Sequence, residues 1–472
     1  MTMFRSILAR PCSGQSAGAP RSASPELFLG PRMGIAYVRG ARCEVILARK
    51  ANSAWKSCAC VLVLLLCSVY SLAYPQASSQ FQPDLFVRAN DAFALHLLMV
   101  VHEQQPDHNI VLAPLPVSLT FAALEDGTSD SESRDELIKT FQWEKSFSTS
   151  TAGRMLLARF EKPKPYPVRR TTLPKNPNDP ILKYFRSGKP EELWLSAAFL
   201  YRGEGSLSQE FMDRVKYDFG FTFHAVGERT PQSDILAKNW DPSLPMPTIT
   251  GRNDFWITSF THLRTSWAGN TFVAVKREKH DFAVRQGNAV QADFLKSEFE
   301  IYPYVRTDEF EAVVLTCWQA SILLVVPAPN KDIGQLEAAF AKDANMVEPL
   351  LVRREGDVQL PPFHVLYETD LRSSLEKLGV HRVFTEPSTL LAMAPERQGG
   401  SLRGVAQKVE ITVDENGIRA DAGIIVHGVY GGILGVQAPF HMVLNRPFLF
   451  IIRDNVTNAL LFTGAVMNPN VQ

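Results

Sequence analysis

The sharpest hydrophobic pattern lies near the C-terminus, where Met442 to Ile452 is apolar but for Asn445 and Arg446. It predicts buried strand with a sharp bend at Pro447, which has no N–H to give to a ladder. Leu195 to Leu200, Ala312 to Cys317, and Leu323 to Val326 closed by Pro327 read as further strands. His364 alternates with Phe363 and Val365 in strand fashion, and His96 lies on the apolar helical stretch Ala92 to Val101. Both read as structural histidines. The pattern changes at Glu415-Asn416-Gly417-Ile418-Arg419-Ala420-Asp421-Ala422-Gly423, which gives way to an apolar, glycine-rich stretch ending at Pro439. This segment is long, small-residued and poor in turn signals, so it predicts an exposed loop.

A C-terminal Asn445-Arg446-Pro447-Phe448 after such a loop resembles the signature of the serpin family, whose reactive-centre loop serves as protease bait. Asn109 to Pro114, followed by Phe121-Ala122 and Leu124, is similar to a family strand and the helix after it. Leu195 to Leu200 resembles a central-sheet strand, Trp267 stands where the family places a tryptophan, and Leu323 to Pro327 resembles a strand ending in proline. Val358-Gln359-Leu360-Pro361, then Asp370-Leu371, Leu375 and Leu378-Gly379, follow the family spacing, and the matches are colinear from Asn90 to Pro469. The resemblance implies an α+β fold: one domain over residues 74–472, with three β-sheets, about eight or nine helices and a reactive-centre loop near 415–439.

The N-terminal region is organised differently. Residues 1–57 are basic and lack an amphipathic period. The apolar run Cys58 to Ala73 is shorter than the roughly twenty residues of a membrane-spanning helix. It follows Arg49, Lys50 and Lys56 and ends in Ser71-Leu72-Ala73, a pattern suited to signal peptidase. The expectation is a leader over 1–73 with its apolar core at 58–73, and secretion; an uncleaved anchor is the alternative, and Met33 is a second candidate start. Five of the six cysteines fall in that leader. Cys317 alone remains and reads as a small buried hydrophobe.

Composition then removes some functions. Lysine plus arginine and aspartate plus glutamate both number 49, so no nucleic-acid footprint follows. No nucleophile elbow, zinc-protease helix or phosphate loop is present, and the histidines lack metal-ligand spacing. The expectation is a protein that is not an enzyme and needs no cofactor or metal. Asn455-Val456-Thr457 fits a glycosylation acceptor but reads first as a polar turn.

In the family, a serine protease attacks the loop, forms a covalent acyl complex, and is distorted as the cleaved loop inserts into the central sheet. With Glu415 as hinge glutamate and Gly417 after it, period-two alternation points Ile418, Ala420, Ala422 and Ile424 inward. Arg419, Asp421 and Gly423 then point outward. Family spacing puts the scissile bond near Gly431-Gly432, within Tyr430 to Val436, and no lysine or arginine lies between Arg419 and Arg446. Tyr430, Leu434 or Val436 would suit chymotrypsin-, elastase- or subtilisin-like proteases. Departures favour the alternative, a non-inhibitory binding or carrier serpin. Ile418 is bulky, Pro362 replaces the basic partner of Glu415, and Ala113 and Pro116 replace two serines beneath the sheet. A basic, proline-rich insertion near 159–190, with Lys162, Lys164, Arg169 and Arg170, reads first as a solvated surface and second as a glycosaminoglycan site. Pro242 to Pro247 interrupts the region resembling a helix across the central sheet. The protein is expected to be a monomer.

Overall fold

The computed structural model describes residues 82–144, 149–160, 191–202, 207–226, 255–268, 271–272, 277–284, 288–402, 404–420 and 438–471. The expected leader, the proline-rich insertion, the stretch from Pro242 to Pro247 and loop residues 421–437 lie outside them. The first helices are α1 (Gln82–Gln104), α2 (Pro114–Glu125), α3 (Ser131–Thr140) and α4 (Thr149–Phe160). They are followed by α5 (Gln209–Phe219), α6 (Ile333–Lys342), α7 (Arg372–Leu378) and α8 (Arg382–Thr385). The early strands are β1 (Ile110–Leu112), β2 (Glu192–Arg202), β3 (Thr222–Val226) and β4 (Phe255–Ser266). Then come β5 (Arg277–Ala283), β6 (Ala289–Lys296), β7 (Glu300–Arg306), β8 (Phe310–Thr316), β9 (Ala320–Pro327) and β10 (Val352–Leu360). The series closes with β11 (Phe363–Asp370), β12 (Ala406–Asp414), β13 (Gly417–Ala420), β14 (Phe440–Val443), β15 (Phe448–Asp454) and β16 (Leu460–Val466).

Six strands form the central sheet, in the order β11-β12-β13-β4-β2-β3, antiparallel except for the β2–β3 pair. Ten strands form a second ladder, β1-β16-β15-β9-β8-β7-β10-β6-β5, with β14 added on β10. The expected second and third sheets are joined there. The first half of β10 pairs with β7, and its last two residues pair with β6.

Continuous apolar runs became the strands covered on both faces. β15 and β16 are buried at every position; for β15 this is what the run from Met442 to Ile452 predicted. The bend at Pro447 divides that run into two strands with different neighbours: β14 lies on β10, whereas β15 lies between β9 and β16. Phe363 of the central sheet meets Phe448 and Phe450 of β15, with ring centroids 5.9 and 5.4 Å apart, so the two ladders share one core. Asp91 of α1 and Arg453 of β15 form a buried ion pair within that core. Burial raises the Asp91 pKa and the Arg453 charge opposes the rise.

The terminal region is fastened by one side chain. Asn109 accepts from the amides of Met467 and Asn468 at 2.7 and 2.9 Å and donates to the carbonyls of Asn468 and Val471. Cys317 is buried beside a bridge to Trp267, as expected of a small hydrophobe. Asn455 lies in the turn between β15 and β16, where its amide nitrogen donates to the carbonyl of Cys317 at 2.9 Å.

Candidate functional site: the two ends of the loop

The loop segment expected to be exposed from Glu415 onward does not leave the sheet there. Glu415 and Asn416 make a turn, with the Asn416 amide donating to Asp414 Oδ1 at 2.8 Å. The chain then re-enters as β13, between β12 and β4. Gly417 makes this possible: its φ is +140°, and an ideal Cβ would come within 2.0 Å of the Thr265 carbonyl oxygen. Only glycine combines that conformation with so close a neighbour. Ile418 pairs with Val413 and Thr265 and is fully buried. Its bulk, a departure at the sequence level, is accommodated as ordinary core. Ala420 stands opposite Leu263 and ends the paired segment.

Past Ala420 the described pairing of β13 stops. β12 meets β13 only at Thr412–Asp414, and β4 meets it only at Leu263–Ser266. Among the described residues no strand lies between Ala406–Ile411 of β12 and Phe255–His262 of β4. The buried hydroxyl of Thr261 on that stretch has no hydrogen-bond partner among the described residues. Trp267 closes the hinge end, donating from Nε1 to the Asp414 carbonyl at 2.8 Å. Glu191, beside β2, has its pKa raised by burial, partly offset by hydrogen bonds from Ser266 and Thr265.

Two expected losses are made good by residues the sequence reading did not select. Glu415, thought to lack a basic partner because Pro362 replaces one, pairs with Arg277 of β5 at 2.8 Å. Beneath the sheet, the Gln407 amide clasps Ala113, accepting from its N–H at 3.1 Å and donating to its C=O at 2.8 Å. The Ser259 hydroxyl lies 3.2 Å from that of Thr120 and 3.5 Å from the Pro116 carbonyl oxygen. The serine hydroxyls replaced by Ala113 and Pro116 are thus answered by side chains from β12 and β4. The signal for Arg277 and Gln407 was weak, because each partner is far away along the chain.

The distal end is held by different chemistry. Arg354 donates from Nε and Nη2 to the Ala438 carbonyl at 2.7 and 2.5 Å. Phe440 stacks on Tyr304 with centroids 3.8 Å apart, over Gly356, whose ideal Cβ would lie 2.3 Å from the Phe440 oxygen. His441 Nδ1 lies 2.6 Å from the buried carboxylate of Asp357. Of the signature, Asn445 accepts through its carbonyl from the Ala283 amide, and Arg446 donates to the Pro327 carbonyl at 2.8 Å. Pro447 occupies the bend and Phe448 is core.

The other selected residues fall elsewhere. Ala422, Tyr430, Gly431, Gly432 and Leu434 lie outside the described residues, as do Lys162, Lys164, Arg169 and Arg170. Arg159, counted with the basic insertion, belongs to α4 and is bound to the buried Asp454 at 2.6 Å. No histidine, cysteine, aspartate and glutamate cluster suited to a metal occurs among the described residues.

Residues 88–469 match the family model described as Serpin (serine protease inhibitor). The chain is 23% identical over 398 residues to a serine protease inhibitor from rat, covering 81% of this chain and 88% of that protein. It is 26% identical over 216 residues to the carp "Alpha-1-antitrypsin homolog"; that match covers 45% of this chain and 56% of the carp protein, little more than half its length. In structure it resembles human thyroxine-binding globulin complexed with thyroxine, with a TM-score of 0.65 at 19% identity, over 83% of this chain and all of that one. Sequence and fold agree that the chain belongs to the serpin family.

Proposed function

We propose that this serpin is a secreted, irreversible inhibitor of chymotrypsin-, elastase- or subtilisin-like serine endopeptidases. The protease serine attacks a loop carbonyl near Gly431-Gly432 or Leu434, and the peptide bond breaks. The new N-terminal amine leaves with its proton, and an ester joins the protease to the remaining chain. The cleaved loop then enters the central sheet and distorts the protease before water can release it. The serpin supplies stored strain rather than a catalytic group.

The observation that carries this reading is β13, already seated between β12 and β4 with Ile418 buried; among the described residues no strand pairs with β12 and β4 beyond its end. Extending the same register would set Ala422 beside Thr261 and Ile424 beside Ser259 and Gln407, all on the inner face. Small or apolar side chains at those positions are what a buried strand requires. The absence of lysine and arginine from Asp421 to Asn445 argues against trypsin-like targets, whose pocket selects a cation.

The second reading, a binding or carrier serpin, draws on the likeness to thyroxine-binding globulin, which concerns the fold alone. A polyanion contact at Lys162, Lys164, Arg169 and Arg170 and a monomeric state belong to the proposal as well. Titration with chymotrypsin, elastase and subtilisin, read on a denaturing gel, tests it. A detergent-resistant band at the summed mass, with release of a C-terminal peptide, is the expected result. Clipping that leaves the protease fully active would favour the carrier.

A further inference from the structure

A cavity of about 400 Å³ lies on the second ladder, between the β7–β8 hairpin, the turn after β9 and the bend before β15. Its size falls in the roughly 300–1,000 Å³ range of small-molecule sites. Arg306 and Arg446 line it, with Asp308 and Glu311 beside them and Phe310 and Pro329 as apolar wall. Two cations and two anions therefore border one space. Arg446 is committed through Nε to the Pro327 carbonyl at 2.8 Å and through Nη1 to Asn445 Oδ1 at 3.1 Å, which leaves Nη2 for another acceptor. Burial lowers its pKa; the Glu311 charge opposes the fall and the Arg306 charge adds to it, so these groups act on one another.

Arg306 stands directly opposite Glu311 in the β7–β8 ladder, where a cross-strand ion pair is the ordinary outcome. Here the Tyr304 hydroxyl takes the carboxylate instead, donating to Glu311 Oε1 at 2.5 Å. Among the described residues neither Arg306 nor Asp308 has a side-chain hydrogen bond or ion pair. The strand pair thus presents a guanidinium and a carboxylate side by side, with Cβ atoms about 5 Å apart. Two guanidiniums beside one cavity repel each other unless an anion lies between them. A plain anion would in turn be repelled by Asp308 and Glu311. A ligand with both charges close together meets both demands: its carboxylate accepts from Arg306 and from Arg446 Nη2, and its ammonium donates to Glu311 Oε2 and Asp308. We infer that this cavity binds a free α-amino acid, whose two charged groups share one carbon and whose side chain packs on Phe310 and Pro329. The inference does not depend on the reading of the loop as protease bait.

Calorimetric titration of the full-length protein tests this with L-leucine, its de-aminated analogue 4-methylpentanoate, its decarboxylated analogue 3-methylbutylamine, and inorganic phosphate. Leucine is expected to bind saturably and to raise the melting midpoint as its concentration rises. Each single-charge analogue, and phosphate, should bind at least about tenfold more weakly. Arg306→Gln and Asp308→Asn change exposed side chains. Each should weaken leucine binding by about tenfold, while melting like wild type when leucine is absent. No saturable binding of leucine, or equal binding by wild type and Arg306→Gln, would overturn the inference. Either analogue or phosphate binding as tightly as leucine would overturn it too, because one kind of charge would then suffice.

Discussion

The two ends of the loop that we propose as protease bait enter the fold by opposite means. The proximal end contributes four residues of backbone pairing, one buried isoleucine and a glycine whose conformation few residues could adopt. Its ion pair, Arg277 with Glu415, is partly exposed and contributes at most about 1 kcal/mol. The distal end has an aromatic stack, a guanidinium with two bonds to one carbonyl and a buried carboxylate under His441, and it runs directly into the core strand β15. A pairing only four residues long can be lengthened or undone at small cost. A side chain stacked between strands cannot move without leaving a cavity. Under the proposed mechanism the contrast teaches why the proximal end would travel and the distal end would stay.

Phe440→Ala should separate the ends most clearly. Removing the ring from its stack on Tyr304 is expected to destabilise the intact fold by about 3–5 kcal/mol, read from the denaturant midpoint. A loss below about 1 kcal/mol would mean the distal end is no more anchored than the proximal. Ile418→Asp comes next. An unpaired carboxylate in that position costs about 3–5 kcal/mol if it stays buried, and β13 can avoid the cost by leaving its place between β12 and β4. The midpoint should therefore move less than for Phe440→Ala, while the number of serpins consumed per protease rises several-fold. An unchanged stoichiometry would show that entry at Ile418 does not control insertion.

Arg277→Ala should cost about 0.5 kcal/mol, and the difference should shrink in high salt. A larger, salt-independent loss would give Glu415 a firmer hold than its exposure indicates. The smallest effect concerns Glu191, whose pKa is raised by burial beside β4. An acid with a raised folded-state pKa binds protons more tightly when folded, so its ionisation opposes folding as pH rises through that value. Glu191→Gln should therefore melt slightly higher than wild type near neutral pH, and the gap should close on acidification. A gap that widens in acid would refute the assignment.

Much of this contrast could be read from residue order, though unevenly. The apolar runs predicted β9, β15 and the bend at Pro447 because burial on both faces leaves a continuous local pattern. Ile418 and Ala420 showed the required alternation. The seating of Gly417 to Ala420 inside the sheet was hidden, since four residues are too few to carry a strand signal until neighbours on both sides are known. Arg277 and Gln407 were hidden for a related reason. Each completes a polar pair with a residue far along the chain, at Glu415 and Ala113, and a lone polar residue has no period to betray it.

The position of β16 has a consequence for synthesis. It lies between β1 and β15, pairing Leu112 with Thr463 and Ile110 with Ala465. β1 therefore waits for its neighbour through almost the entire translation of the domain, and its fully buried side chains stay uncovered meanwhile. Contacts so distant along the chain form slowly. On the ribosome, the emerging N-terminal part is a half-built sheet with one place left vacant, a natural client for a chaperone until the last strand arrives.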